Sequence, residues 1–268
     1  MLTEDQLRSK AWRRIRQGVY ADASLPLTHD LLTRAVALVM PPSAVFGGLT
    51  AAMLWGAAGL VGAEDPVEVV VPPGSRWSPR SGVRVREAVL DPRDVVERQG
   101  LRRTGRTRTG LDLIRRGTVD EGVVLLDQLA SIRVVRLDEV REAAFELPRG
   151  RGSRLAREVA FQADGLAESP QETRVRLLIG RAGLPAPKAQ HRVFGDDGFI
   201  ARVDFAWPEQ RLALEYDGLW HAEPGQFARD RQRLNRLLAA GWRVIFVTAA
   251  DLYRPERLVV RIAAALSA

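Results

Sequence analysis

The sequence predicts an α/β protein built from more than one domain. Three observations carry that reading. The chain has 268 residues, enough for two modest domains. Hydrophobic residues make up 46% and charged residues 27%, ordinary globular values that allow a buried core and exclude global disorder. Short runs of alternating apolar residues recur between stretches of helical periodicity, the pattern of layered sheets and helices.

Taken in order, residues 1–25 read as part of a winged helix. Thr3 is placed to cap a helix, with Gln6 at the reciprocal position of a capping box. WRRIRQGVYA then reads as a hairpin turning at Gly18. Helix followed by β-wing is the C-terminal half of a winged helix-turn-helix; the alternative is an amphipathic helix beside a hairpin. The helices that precede the recognition helix in such a module do not appear in the sequence. Residues 26–150 form an α/β region: two helices over 29–63 broken at Pro41-Pro42, strands over 66–90, and helices over 118–146. Residues 98–116 carry seven arginines against the single acid Asp112, a phosphate-facing surface or a solvated helix edge. RGRGS at 149–153 reads as a linker, with a helix after it.

Composition narrows the chemistry. The chain has no cysteine and three histidines, which excludes disulfides and thiolate metal sites and disfavours a His-rich zinc centre. A metal would have to be held by carboxylates, which favours magnesium or manganese. The net charge of +7 comes from arginine, since Lys10 and Lys188 are the only lysines. Guanidinium forks suit phosphate, although arginine-rich usage also follows from a GC-rich genome. The uncharged stretch Ala44–Ala63 is long enough for a bilayer, but five glycines and six alanines make it a buried helix pair rather than a span. With a polar N-terminus and no signal pattern, the expectation is a cytoplasmic protein without membrane contact.

The last hundred residues are the most informative. SPQETRVRLLIGRAGLP is a helix with Ser169 as N-cap, Pro170 at the first position, Glu172 at the box position and Gly183 as the stop. Strands over 199–206 and 211–217, a helix over 225–239, a strand over 242–248 and a helix over about 255–266 follow. In one register of the first two strands, Asp204 faces Glu215. Like charges facing each other on an apolar sheet are unfavourable, and a shared divalent cation turns that repulsion into coordination. The alternative is a pair of acids at a wet sheet end, bonded to arginines. Glu172 serves a capping box, an acidic cluster, or both. Asp230 lies on the apolar stripe of its helix, and Arg231 reads as a phosphate contact or as that acid's internal partner.

These residues carry a resemblance. Asp204, the hairpin, Glu215-Tyr216-Asp217-Gly218 and His221, with GLPAP, RVDFAW, DRQR (Asp230 to Arg233) and GWRVIFVT in order, resemble the PD-(D/E)XK nuclease superfamily. The likeness is greatest to its very-short-patch-repair-like endonucleases, and it covers most of residues 165–255 of a domain placed at 165–268. The resemblance implies a restriction-endonuclease-like α/β/α domain in which Asp204 and Glu215 hold Mg2+ (or Mn2+) and Glu172 completes the acidic cluster. Arg202, Arg231 and Arg233 would meet DNA phosphates. The superfamily places a lysine where this chain has Asp217, so His221 is the candidate base beside the acidic group. RRIRQGVYA, PPSAVFGGLTAAMLWG and RTGLDLIRRGTVDEGVVLLDQL are similar in order to type IV abortive-infection antitoxin proteins, which implies a DNA-binding regulator or a toxin-like protein partner. The leading expectation is a metal-dependent DNA endonuclease acting in repair or phage defence. The alternative is a non-catalytic DNA-binding or antitoxin-like protein with a vestigial nuclease fold.

Overall fold

In the computed structural model, which describes residues 3–79, 81–196, 198–217 and 226–268, Thr3 caps helix α1 (Glu4–Arg8) through the full box with Gln6. Strands β1 (Trp12–Arg16) and β2 (Val19–Asp22) pair antiparallel, so the helix-then-hairpin reading of the N-terminus is observed. Contacts divide the chain into two units: residues 1–122 with 132–162, and residues 123–131 with 163–268. Both contain helices and sheet, as an α/β chain should.

The first unit is organised by a five-stranded mixed sheet. Helix α2 (His29–Ala37) leads into β3 (Val45–Phe46), α3 (Gly48–Leu54), β4 (Val67–Val71), β5 (Val83–Glu87), β6 (Val95–Arg98) and β7 (Leu101–Thr104), and the sheet order is β5-β4-β3-β7-β6. Every residue of β4, VEVVV, is buried, which is why its apolar run barely alternates. Val36, Phe46, Val67, Val69, Val71 and Leu101 form the core. Strand β3 occupies the start of the uncharged stretch read as a helix pair. It is two residues long and sits between Pro41-Pro42 and two glycines, too short to show a period. Among the described residues no helix is long and apolar enough to cross a membrane.

Helices α4 (Arg106–Leu113), α5 (Val119–Ser131), α6 (Leu137–Glu146) and α7 (Ser153–Gln162) follow. Here the arginine-rich segment 98–116 departs from a phosphate-facing surface. Arg103 is 1% exposed. Its guanidinium donates to the carbonyls of Leu54 (2.5 Å) and Arg98 (2.6 Å) and lies over the Trp55 ring. Arg106 covers the same ring and caps the carbonyls of Arg133 and Val134. These arginines supply donors to buried carbonyls and cation–π contacts, which is structural work.

The second unit is a four-stranded sheet between helices. Helix α8 (Pro170–Arg181) precedes β8 (Lys188–Gly195), β9 (Gly198–Trp207) and β10 (Leu212–Tyr216); α9 (Gln226–Ala239) precedes β11 (Arg243–Val247); α10 (Ala249–Leu252) and α11 (Pro255–Ser267) close the chain. The sheet order is β11-β10-β9-β8, with β10 and β11 parallel. One core joins Val175 and Ile179 of α8 and Leu258 and Ile262 of α11 to Phe205, Trp207, Leu212, Leu214 and Val247. A second joins Leu237 of α9 and Trp242 to Val193, Ala201, Val203, Ala206 and Ala213. Strand β8 goes beyond the sequence reading, whose first strand in this unit begins at 199; the polar residues Lys188, Gln190, His191 and Arg192 hide the apolar alternation of Ala189 and Val193.

Asp127 pins the second unit. It is fully buried and accepts from the backbone N–H groups of Asp164 and Gly165, the Thr173 hydroxyl and Arg176 (2.7 Å). Four donors on one buried carboxylate hold α8 to the turn before it.

Candidate active site

Three adjacent strands of the second unit, β8, β9 and β10, bring a polar row together. Strand β9 pairs with β10 through Trp207↔Leu212, Ala206↔Ala213 and Phe205↔Leu214. The next position in that register sets Asp204 against Glu215, one of the two registers considered from sequence. On the other side, Phe205↔Ala189 and Val203↔His191 bracket Asp204 and Gln190. Gln190, Asp204 and Glu215 therefore occupy equivalent positions on three adjacent strands. The ladder is interrupted there: Gln190 has φ +51°, a left-handed conformation that side-chain-bearing residues seldom adopt. The Asp204 carboxylate, rather than a backbone carbonyl, accepts the Tyr216 N–H (2.8 Å).

Glu172 joins the row from the first turn of α8. Ser169 caps the Glu172 N–H (3.2 Å), as expected. The Glu172 carboxylate does not return to Ser169, however. It accepts from the Glu168 N–H (2.9 Å) and from the Gln190 amide (2.9 Å). Glu172 is 6% and Glu215 8% exposed. Asp204 responds to both: burial first, then Glu172, Glu215 and Glu168, push its carboxyl up to about 6, against the lowering pull of the Tyr216 N–H. Three carboxylates from α8, β9 and β10 thus share one electrostatic environment.

Arg233 supplies the positive charge. From α9 its two terminal nitrogens donate to the two oxygens of Glu215, both at 2.6 Å, a bidentate fork. That bond, ahead of the opposing effect of burial, raises Arg233 above its ordinary value. The structure thus engages Arg233 with Glu215, whereas the resemblance implied a DNA phosphate. Arg202 is exposed and pairs with Glu168 at 2.6 Å. Arg231 and Asp230 lie on the exposed side of α9. Asp217 is exposed just past β10, its N–H donating to the Val247 carbonyl (2.7 Å). His221 lies outside the described residues. Among the described residues no group of three or more His, Asp or Glu side chains is arranged as a ready metal cage; Glu215 presents its oxygens to Arg233 and Glu172 one oxygen to Gln190.

Sequence reasoning missed Gln190 and the pairing role of Arg233. Gln190 sits in an unrecognised strand. Arg233 falls four residues after Arg229 and three before Arg236, in a basic run where nothing marks the one cation that turns inward. Trp207 donates to the Pro185 carbonyl (2.7 Å) and is core.

The fold and this cluster define an α/β protein whose second unit assembles buried carboxylates at a sheet centre. Over 264 residues the chain is 36% identical to uncharacterized protein MT2308 of Mycobacterium tuberculosis (strain CDC 1551 / Oshkosh), covering 96% of this chain and 93% of the relative. Uncharacterized protein Rv2248 of Mycobacterium tuberculosis (strain ATCC 25618 / H37Rv) matches to the same extent. The chain belongs to the family of these mycobacterial proteins. No family profile matches it, and neither does a solved structure.

Proposed function

We propose that the second unit is a metal-dependent DNA endonuclease domain of the restriction-endonuclease-like kind, working in the cytoplasm on phosphodiester bonds. The observation that carries the reading is the convergence of Glu172, Asp204 and Glu215 on one buried environment in which Asp204 resists ionisation. Hard carboxylate oxygens from three elements suit Mg2+ or Mn2+, and a cation shared among them reverses the sign of their repulsion. Such an ion, when bound, neutralises charge developing on the phosphate and lowers the pKa of water.

The chain's own residues hold this cluster in shape. The Tyr216 N–H fixes one Asp204 oxygen, and among the described residues the other has no hydrogen-bond partner. Gln190 and the Glu168 N–H hold one oxygen of Glu172. Arg233 orients Glu215 and must release at least one of its oxygens for a cation to take it. His221, as base, and Arg202 and Arg231, at phosphates, complete the proposal.

Two observations favour the non-catalytic reading, a DNA-binding or antitoxin-like regulator with a toxin-like protein partner. Asp217 stands where the superfamily has lysine, and the Arg233 fork occupies both Glu215 oxygens. Incubation of the full chain with plasmid, single-stranded and mismatched DNA, with Mg2+ or Mn2+, decides between them. Cleavage that depends on the metal and is lost in Asp204→Asn supports the enzyme. No cleavage of any form, with DNA binding unchanged in Asp204→Asn, replaces it with the regulator.

A further inference from the structure

An open cavity in the first unit is lined by more basic than acidic residues. This open cleft of about 1300 Å3 is lined by Arg86 of β5, Arg115 and Arg116 after α4, and Arg151 and Arg154 at the start of α7, against Glu87, Asp112 and Glu158. We infer that this cleft binds the phosphodiester backbone of duplex DNA.

The cleft is built, and its charges are sorted. Asp112, 1% exposed, is neutralised from two sides, by Arg86 and by Arg108 (3.1 Å). Arg116 is held by Glu68 at 2.8 Å. Arg115 donates to the Arg151 carbonyl (3.0 Å), tying the 149–153 loop to the end of α4. Gly152 makes that approach feasible: its φ is +76°, and a Cβ there would meet the Arg115 carbonyl oxygen at 2.6 Å. What remains outward is Arg151 and Arg154, both exposed and without a guanidinium partner among the described residues. Arg151 lies in the turn just before α7 and Arg154 in its first turn, and both line the cleft. The residues read as a linker are therefore a fixed arginine-presenting loop.

The ligand follows from what the lining lacks. No aromatic ring lines the cleft. Single strands and free nucleotides are gripped largely by stacking bases on aromatic side chains, whereas a duplex keeps its bases stacked and offers phosphates to arginine forks. The cleft has forks and no platform, so it fits sequence-independent contact with a duplex backbone.

This inference shares with the proposed function only the choice of DNA. It is tested on the full chain in EDTA, where cleavage is silent, by fluorescence anisotropy of a short labelled duplex against salt. Arg151→Ala/Arg154→Ala should weaken binding at every salt concentration and lower the slope of log affinity against log salt by about 2, roughly one per phosphate contact. Circular dichroism and urea unfolding check that the fold is kept, which the exposure of both side chains favours. Glu158→Gln, which removes a negative charge from the same wall, should strengthen binding. A wild-type slope in the double variant overturns the inference. So does tighter binding of single-stranded DNA, or of inorganic pyrophosphate in place of the duplex, through the same two arginines. Asp204→Asn separates the two readings: an arginine-dependent slope in a protein that cleaves nothing leaves the cleft and removes the nuclease, and cleavage with an unchanged slope does the reverse.

Discussion

Replacing Asp204 by Asn should make the protein more stable at neutral pH, and the size of the gain follows from the site. Burial and the neighbouring Glu172 and Glu215 hold the carboxyl at about 6 rather than its ordinary 3.8. A shift of about two units corresponds to about 3 kcal/mol. Because the folded value is raised, the folded state binds the proton more tightly than the unfolded one. The wild type is therefore unpenalised below about pH 4, loses stability as pH rises through 4 to 6, and carries the full penalty above 6. Asn keeps the shape and an oxygen to accept the Tyr216 N–H, but it never ionises. Urea unfolding, followed by the fluorescence of Trp207 and Trp242 in the same unit, should show the variant ahead by up to about 3 kcal/mol at pH 7.5, with the gap closing toward pH 4. Saturating Mg2+ should stabilise the wild type, by about 2.7 kcal/mol at a hundredfold excess over Kd, and leave the variant unmoved. A variant no more stable than wild type at pH 7.5, or a gap that does not depend on pH, refutes the electrostatic argument. Equal stabilisation of both proteins by Mg2+ refutes the cation site.

Other positions give independent tests by the same unfolding measurement. Arg233→Ala leaves Glu215 buried without its counter-charge and should cost about 3–5 kcal/mol, with Arg233→Lys intermediate because it keeps the charge and loses the fork. Asp127→Ala strands four donors and should cost a similar 3–5 kcal/mol, with no change in any metal-dependent cleavage measured on folded protein. His29 is 4% exposed, bridging the Thr50 hydroxyl (2.8 Å) and the Gly62 carbonyl (3.2 Å), so His29→Ala should destabilise the first unit by about 2–4 kcal/mol. Gly48→Ala combines φ +55° with a Cβ at 2.4 Å from the Glu68 carboxylate and should cost at least about 1 kcal/mol.

Legibility in the sequence followed the strength of local periodicity. The capped α1, the hairpin after it, α8 with its Ser169 cap, and the β9–β10 pairing all announce themselves through short-range rules, and all are present. The weak points were strands without alternation. β3 is two residues long, and β8 carries polar residues, among them Gln190, which lies across from Asp204. That is why Gln190 was invisible: its role comes from lying across β9, opposite Asp204, not from its neighbours in sequence. The acidic residues themselves were legible because Asp204 and Glu215 each break an apolar strand pattern and Glu172 holds a capping position. Their partners were not, since an arginine in a helix rich in arginine carries no mark of which one turns inward. In the first unit the same limit applied in reverse. The segment 98–116 looked like a phosphate surface by count, yet Arg103 and Arg106 are spent on buried carbonyls and Trp55, and the outward arginines lie some forty residues later, at 151 and 154.

The second unit contains its own control for deciding whether Asp204 is structural. Asp127 shows what a structural buried acid looks like in this fold: four donors, one of them a guanidinium at 2.7 Å, and a place that ties two segments together. Its surroundings are arranged for the ionised form. Asp204 is arranged against it. Among the described residues it has one backbone donor, its charged neighbours include Glu172 and Glu215, and the guanidinium fork of Arg233 is spent on Glu215. A carboxylate kept for stability gains nothing from two more carboxylates beside it. Carboxylates retained under such repulsion are what the proposed cation site requires. That contrast between two aspartates in one unit, rather than the presence of acids as such, is the physical ground for reading the row Gln190–Asp204–Glu215 as a place where chemistry is done.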